Sequence, residues 1–268
     1  MYKCNNCGLE SSKYFGICKS CKQGVGEEIL EATSAKNTSK YRDEIGAANT
    51  NVHTKIRKVD KTAPKVKACR VTQYPNFNSI LSSGKGFVEG QVILLGAMPG
   101  TGKSTLCTSI SSEDTLYISS EENFNQVNAR VLRVNPNVEF DILNTTSFDE
   151  VCEAIRITDK KLIIIDSLNS IEFGVGYLTT ARFASQITDI IKEYNKIAII
   201  ISQVTKGGEI AGMQSLVHVV DTVLHLEKSQ ISSNIIATSS KNRYGEVGSV
   251  SVFRHKEDGF EEVDVDHM

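Results

Sequence analysis

No run in the sequence approaches the roughly 18 apolar residues of a membrane span, and the opening MYKCNNCGLE has no apolar core of a secretory leader. These features set the expectation of no spanning helix, no secretory leader and a cytoplasmic protein, where thiols stay reduced. An excess of one charge is also missing. Thirty Lys and Arg stand against 32 Asp and Glu, a formal net charge of −2, so no global field selects a polyanionic partner. There is no internal repeat. What remains is ordinary for a globular protein: 40% hydrophobic and 23% charged residues. The 268 residues suit one domain of about 150–250 residues plus something small, with a core that needs no disulfide. The seven cysteines then call for metal or burial.

Four of the seven lie within residues 1–29 as Cys4-x-x-Cys7 and Cys18-x-x-Cys21, with ten residues between the two hooks. Four thiolates complete a closed tetrahedron around Zn²⁺, so the ion is structural rather than catalytic. Metal binding, worth about 10–16 kcal/mol, supplies the folding energy that so short a module lacks. Residues 30–70 are polar without clear apolar periodicity and read as a linker. Cys107 and Cys152 read as small core residues and Cys69 as a linker thiol.

From Val71 the texture changes. Val92–Leu95, Leu116–Ser119, Leu162–Ile165 and Ile197–Ile201 are short continuous apolar runs, the pattern of strands buried on both faces of a parallel sheet. Helix candidates lie between them: Ser147-x-x-Glu150 is a capping box, and Thr179–Tyr194 carries Phe183, Ile187, Ile190 and Ile191 at helical spacing. After Val217 the chain is strand-rich, in HVVDTVLHLE, SNIIATSS and GSVSVFRH. Residues 71–268 are therefore expected to form an α/β domain with a mostly parallel central sheet and antiparallel strands at its C-terminal end.

Gly96–Thr105 reads GAMPGTGKST. It fits the phosphate-loop pattern G-x-x-x-x-G-K-[ST] except that Ala97 stands at the first glycine. Gly96, Ala97, Met98, Pro99, Gly100, Thr101, Gly102, Lys103, Ser104 and Thr105 are the candidate ATP-binding residues. The glycines let backbone N–H groups approach phosphate oxygens. Lys103 is placed to reach the β- and γ-phosphates, and the Ser104 hydroxyl to ligate Mg²⁺. Three polar strand ends complete the reading. Asp166 ends KLIIID and suits the Mg²⁺ shell. Glu121 or Glu122, after LYISS, would orient and deprotonate the attacking water. Gln203 ends AIIISQ, a neutral group suited to sensing the γ-phosphate.

Together these pieces resemble the RadA (Sms) family, bacterial DNA repair and recombination ATPases with a RecA-like core. The resemblance runs over nearly the whole chain. The cysteine ribbon with KYFGIC is similar to the family's zinc finger, with Tyr14 where the family usually has Trp. SEE, IIIDSL and QVTKGGEIAGMQSLVHVVDTVLHLE follow, and Lys241–Gly245, KNRYG, is the most specific match. The resemblance implies Glu121 rather than Glu122 as catalytic glutamate. It implies Lys241 and Arg243 as a pair reaching a neighbouring subunit's γ-phosphate in a ring, most simply a homo-hexamer. It also implies that loop 204–215, with Lys206, lines a DNA channel. Gln203 stands where the family often has His, and the helix after the phosphate loop is about two turns shorter than usual. The family's Lon-protease-like C-terminal domain has no counterpart in the sequence.

Local charge adds candidates for single-stranded or branched DNA. Lys55, Arg57, Lys58, Lys61, Lys65, Lys67 and Arg70 face a single acid, Asp60; they read either as a DNA-binding arm or as a solvated linker. Tyr177, Arg182 and Phe183 offer stacking and charge, with Phe183 equally fit for the core. The acidic tail from Glu257 to Asp266 reads as a solvated strand end. The expected function is a DNA-dependent ATPase, a ring-forming motor of recombination and repair with a recombinase or replication protein as partner. The competing readings are a regulatory ATPase that docks protein through its zinc module, and a nucleotide-binding adaptor with little hydrolysis.

Overall fold

The computed structural model describes residues 2–4, 6–11, 17–23, 26–28, 68–172, 180–203 and 214–264. The chain divides into two compact units, Met1–Ala63 and Pro64–Met268. In the first, β1 (Tyr2–Cys4) pairs antiparallel with both β2 (Glu10–Ser11) and β3 (Gly26–Glu28). Tight turns follow the first cysteine of each hook: Gly8 N–H donates to the Cys4 carbonyl at 3.0 Å and Lys22 N–H to the Cys18 carbonyl at 2.9 Å.

The second unit opens with β4 (Ala68–Arg70), α1 (Pro75–Ser82) and β5 (Phe87–Val88), with β4 and β5 paired. Strands and helices then alternate: β6 (Val92–Ala97), α2 (Lys103–Ser109), β7 (Thr115–Ser119), α3 (Phe124–Val134), β8 (Asp141–Asn144), α4 (Phe148–Ile157), β9 (Leu162–Asp166), α5 (Thr180–Glu193), β10 (Ile197–Gln203) and α6 (Gln214–Val219). Four strands close the unit: β11 (Thr222–Lys228), β12 (Ile235–Asn242), β13 (Val250–Lys256) and β14 (Gly259–Val263). They form one nine-stranded sheet in the order β14-β13-β12-β11-β6-β10-β9-β7-β8. From β11 to β8 neighbours run parallel, and from β11 to β14 antiparallel, as expected from the sequence.

The continuous apolar runs have their physical reason in two cores. Successive strand residues point to opposite faces. Ile93, Leu95, Ile164 and Ile199 pack with α1, α2 and α3 on one face, while Val92, Leu94, Ile163 and Ile200 pack with α4, α5 and α6 on the other. Both faces being covered, no position in β6 or β9 can be polar until the strand end. Cys107 and Cys152 are core residues as expected, 0% and 5% exposed, and burial first of all pushes both thiols up, Cys152 to about 11.

Several expectations shift. β4 lies inside the stretch read as linker and belongs to the second unit. Arg70, counted in the basic arm, is instead a fold contact: its guanidinium donates to the Ile110 carbonyl just beyond α2. Lys55 to Lys67 lie outside the described residues. So do Tyr177 and Lys206, while Phe183 is fully buried against Phe148 and is no stacking platform. The run HVVDTVLHLE begins in α6, and its strand starts only at Thr222. The box at Ser147 is half formed: Ser147 Oγ accepts from Glu150 N–H at 3.4 Å, but Glu150 accepts from Thr145. The complete box is Asn123 with Gln126, at the head of α3. In the acidic tail, Glu262 caps α1, accepting from Asn76 and Phe77 N–H at 2.9 and 2.8 Å.

Candidate nucleotide site and zinc ribbon

The loop after β6 sits mid-sheet. The strand's last residue, Ala97, is in register with Gln203 of β10 on one side and Leu226 of β11 on the other. Gly100 and Gly102 take φ of 73° and 100°, which other residues rarely adopt. A Cβ on Gly102 would also lie 2.5 Å from the Phe260 ring of β14, so this position has two reasons to be glycine. Gly102 is the N-cap of α2 and has no side-chain cap, so no side chain competes for the loop's backbone N–H groups. A cleft of about 570 Å³ opens beside the loop, lined by Gly102, Lys103 and Ser104 and by Gln126, Arg130 and Arg133 of α3.

Lys103 is 9% exposed. Its ammonium donates to the Ala97 and Met98 carbonyls at 3.0 and 3.2 Å. Burial lowers its pKa, and the nearby charges of Asp166 and Glu121 oppose that. Those two acids therefore share the electrostatic neighbourhood of the loop lysine. Asp166 ends β9 opposite Ser119 of β7, and Glu121 follows two residues later. The oxygen donors of Ser104 and Asp166 suit a hard cation such as Mg²⁺, and Lys103 with the loop amides suits a polyphosphate. Gln203 is half-buried at the end of β10, its N–H donating to Asn169 Oδ1 at 3.2 Å.

The adjacent acids Glu121 and Glu122 are not equivalent. Glu122 is ion-paired with Arg130 of α3. Glu121 is exposed and, among the described residues, accepts only from hydroxyls, those of Ser167 and Ser170 (the latter at 3.1 Å). Sequence reasoning missed the partners of this arrangement. Tyr117, fully buried in β7, donates to Asp166 Oδ2 and accepts from Arg130 Nη2 at 3.1 Å. Arg130 Nε donates to Thr108 Oγ1 at 3.0 Å. Arg130 is 9% exposed, and its burial beside the phosphate loop follows from the fold, so no local sequence signal marked it.

In KNRYG the cations find an acid that is distant in the sequence but adjacent in the fold. Arg243 Nη1 pairs at 2.8 Å with Asp221, a buried carboxylate 22 residues earlier in the sequence, which also binds Lys192 at 3.0 Å. Lys241 donates to the Val217 and Val220 carbonyls at 2.6 and 2.7 Å, closing the C-terminal end of α6. Both cations thus have partners in their own chain, because Asp221 and α6 immediately precede the strand that pairs with β12.

In the ribbon, the Sγ atoms of Cys4, Cys7, Cys18 and Cys21 all lie within 4.8 Å of one another. The pairs Cys4–Cys21 and Cys7–Cys18 are each 3.6 Å apart. Ligands about 2.3 Å from a tetrahedral Zn²⁺ stand about 3.8 Å from each other, so the four thiols fit that ion.

Comparisons with known proteins agree with this architecture. Residues 2–23 match a family described as a rubredoxin metal binding domain. The DNA repair protein RadA of Aquifex aeolicus is 31% identical over 98% of this chain and that of Rickettsia conorii 33% over 98%, while the chain spans 59% and 60% of their lengths. Among solved structures, the RadB recombinase superposes with a TM-score of 0.57 at 19% identity, covering 75% of this chain and all of that one. A KaiC-like protein from Pyrococcus horikoshii gives 0.58 at 17%, covering 75% of this chain and all of that one. The fold is RecA-like, preceded by a four-cysteine ribbon, and the chain is similar to DNA repair protein RadA along 98% of its length.

Proposed function

We propose that this chain is an ATP hydrolase whose turnover depends on DNA, acting in recombination and repair as a ring-forming motor of the helicase or branch-migration type. The observation that carries the reading is the convergence at one edge of the sheet. Lys103 and Ser104 follow β6, Asp166 ends β9, and Glu121 follows β7. Ligands of α/β sheets bind at that edge, outside the carboxyl ends of the strands. ATP would lie along the loop with Lys103 on its β- and γ-phosphates. Ser104 and Asp166 would hold Mg²⁺, which neutralises charge on those oxygens. Glu121 is the base: it is not neutralised by an arginine, so it can orient the attacking water and accept its proton. Gln203, level with Ala97 in the sheet, contacts the γ-phosphate.

Arg243 serves the neighbouring subunit's site in a homo-hexameric ring, and loop 204–215 meets single-stranded or branched DNA. No helix among the described residues is long and apolar enough to cross a membrane, which fits the proposed cytoplasmic setting. The test is the ATPase rate with and without single-stranded DNA. Stimulation is expected. Hydrolysis indifferent to DNA would favour the regulatory reading, for which exposed Leu9 and Ile17 on the ribbon offer a protein-docking surface.

A further inference from the structure

We propose that Tyr117 and Arg130 are positioning residues that aim the Asp166 carboxylate at the nucleotide-bound cation while withdrawing Glu122 from the site. The proposal rests on the ATP-site reading above and adds to it two residues remote from the phosphate loop in sequence.

The argument is one of donors and acceptors. Guanidinium nitrogens only donate, and an ionised carboxylate only accepts. The Tyr117 hydroxyl lies between them, 3.1 Å from Arg130 Nη2 and hydrogen-bonded to Asp166 Oδ2. It must accept from arginine, so its single hydrogen is committed to Asp166. One oxygen of Asp166 is thereby fixed, and the other is left for the cation shell. Arg130 is itself held in one orientation by three different acceptors: Thr108 Oγ1 on α2, Glu122 after β7, and the Tyr117 hydroxyl. Its guanidinium also lies 5.6 Å from the centre of the Tyr117 ring. The network thus ties the phosphate-loop helix, Glu122 and the cation carboxylate into one hydrogen-bonded group.

Purified full-length chain is titrated with a fluorescent ATP analogue, once with Mg²⁺ and once with EDTA. The parent should bind more tightly with Mg²⁺. Tyr117→Phe keeps the ring and removes the hydroxyl; it should leave the EDTA affinity unchanged and lose about tenfold of the Mg²⁺-dependent tightening, the scale of one hydrogen bond to a charged group. Arg130→Lys keeps a cation near Glu122 but lacks the fork that spans Thr108 and Tyr117, and should show the same selective loss. A general packing defect would weaken both titrations alike, and that result overturns the proposal. So does full Mg²⁺ tightening in either variant. If Tyr117→Phe fails to fold, Arg130→Lys decides alone. A parent that binds no ATP analogue refutes the ATP-site reading itself, a result distinct from a parent that binds and variants that do not differ from it.

Discussion

Asp221 is 1% exposed and lies at the edge of the sheet away from the phosphate loop, and replacing it should separate structural from catalytic roles in KNRYG. Its carboxylate accepts from Val92 N–H at 3.0 Å, from Lys192 at 3.0 Å and from Arg243 at 2.8 Å. Asp221→Ala orphans the Val92 N–H inside the core, at a cost of about 1–3 kcal/mol. The two cations are 40% and 51% exposed, so water recovers most of their loss and each pair adds only about 0.2–1 kcal/mol. The sum is about 1.5–5 kcal/mol, or a fall in Tm of about 3–20 °C for a unit of this size. Asp221→Asn keeps an oxygen for Val92 and should cost about half as much. Arg243→Ala should cost less than about 1 kcal/mol. Urea denaturation followed by circular dichroism measures all three, a suitable probe for a chain with no tryptophan. An Asp221→Ala variant within about 0.5 kcal/mol of the parent, or Asn as damaging as Ala, would refute the account of this carboxylate.

Four further outcomes are expected. Elemental analysis of chain purified without chelator should find one Zn²⁺ per molecule; a metal-free, folded ribbon would end the zinc assignment. Glu121→Gln should retain ATP binding and lose turnover, whereas Glu122→Gln should retain turnover in part; the reverse result would exchange their roles. Gly102→Ala should abolish ATP binding, and shrinking the obstructing ring with Phe260→Ala should restore it only in part, because the φ of 100° still disfavours alanine. Mixing Arg243→Ala chains with Lys103→Ala chains, each inactive alone, should recover ATPase, and no recovery at any ratio would count against action across a subunit boundary.

Much of the sheet was legible in the sequence because its inner strands are buried on both faces. Leu162–Ile165 could be nothing polar, and Asp166 stood out as the first charge after it. β8 was not legible: at the sheet's edge it has only Ile142 and Leu143 between two polar ends, and no face that demands burial. β14 was hidden by its acids, since Glu262 turns inward to cap a helix at Asn76, 186 residues earlier in sequence. The phosphate loop and the cysteine hooks were legible because their chemistry requires local spacing. Tyr117, Arg130 and Asp221 were not, because each acquires its meaning from a partner across the fold. Tyr117 looked like one more apolar strand residue, and its hydroxyl matters only because β9 brings Asp166 beside it.

The register of the sheet bears on where Arg243 can act. β6 runs from Val92 to the loop, and β11 runs parallel to it with Thr222 level with Ile93. β12 returns antiparallel, setting Asn242 opposite Thr222. Arg243 therefore comes out at the start of β6, and the five residue steps from Val92 to Ala97 span about 17 Å at a strand's rise of about 3.3 Å per residue. That is longer than an arginine side chain, and the sheet itself stands in the way. Arg243 cannot stabilise charge on a phosphate held by its own loop. A catalytic role for it demands a second copy, whose site faces this edge, and the salt bridge to Asp221 fixes where the guanidinium waits. Its half-exposed side chain leaves one flank open to such a neighbour. If the active species sediments as a monomer while Arg243→Ala abolishes turnover, this geometric argument fails, because no path within one chain connects the two.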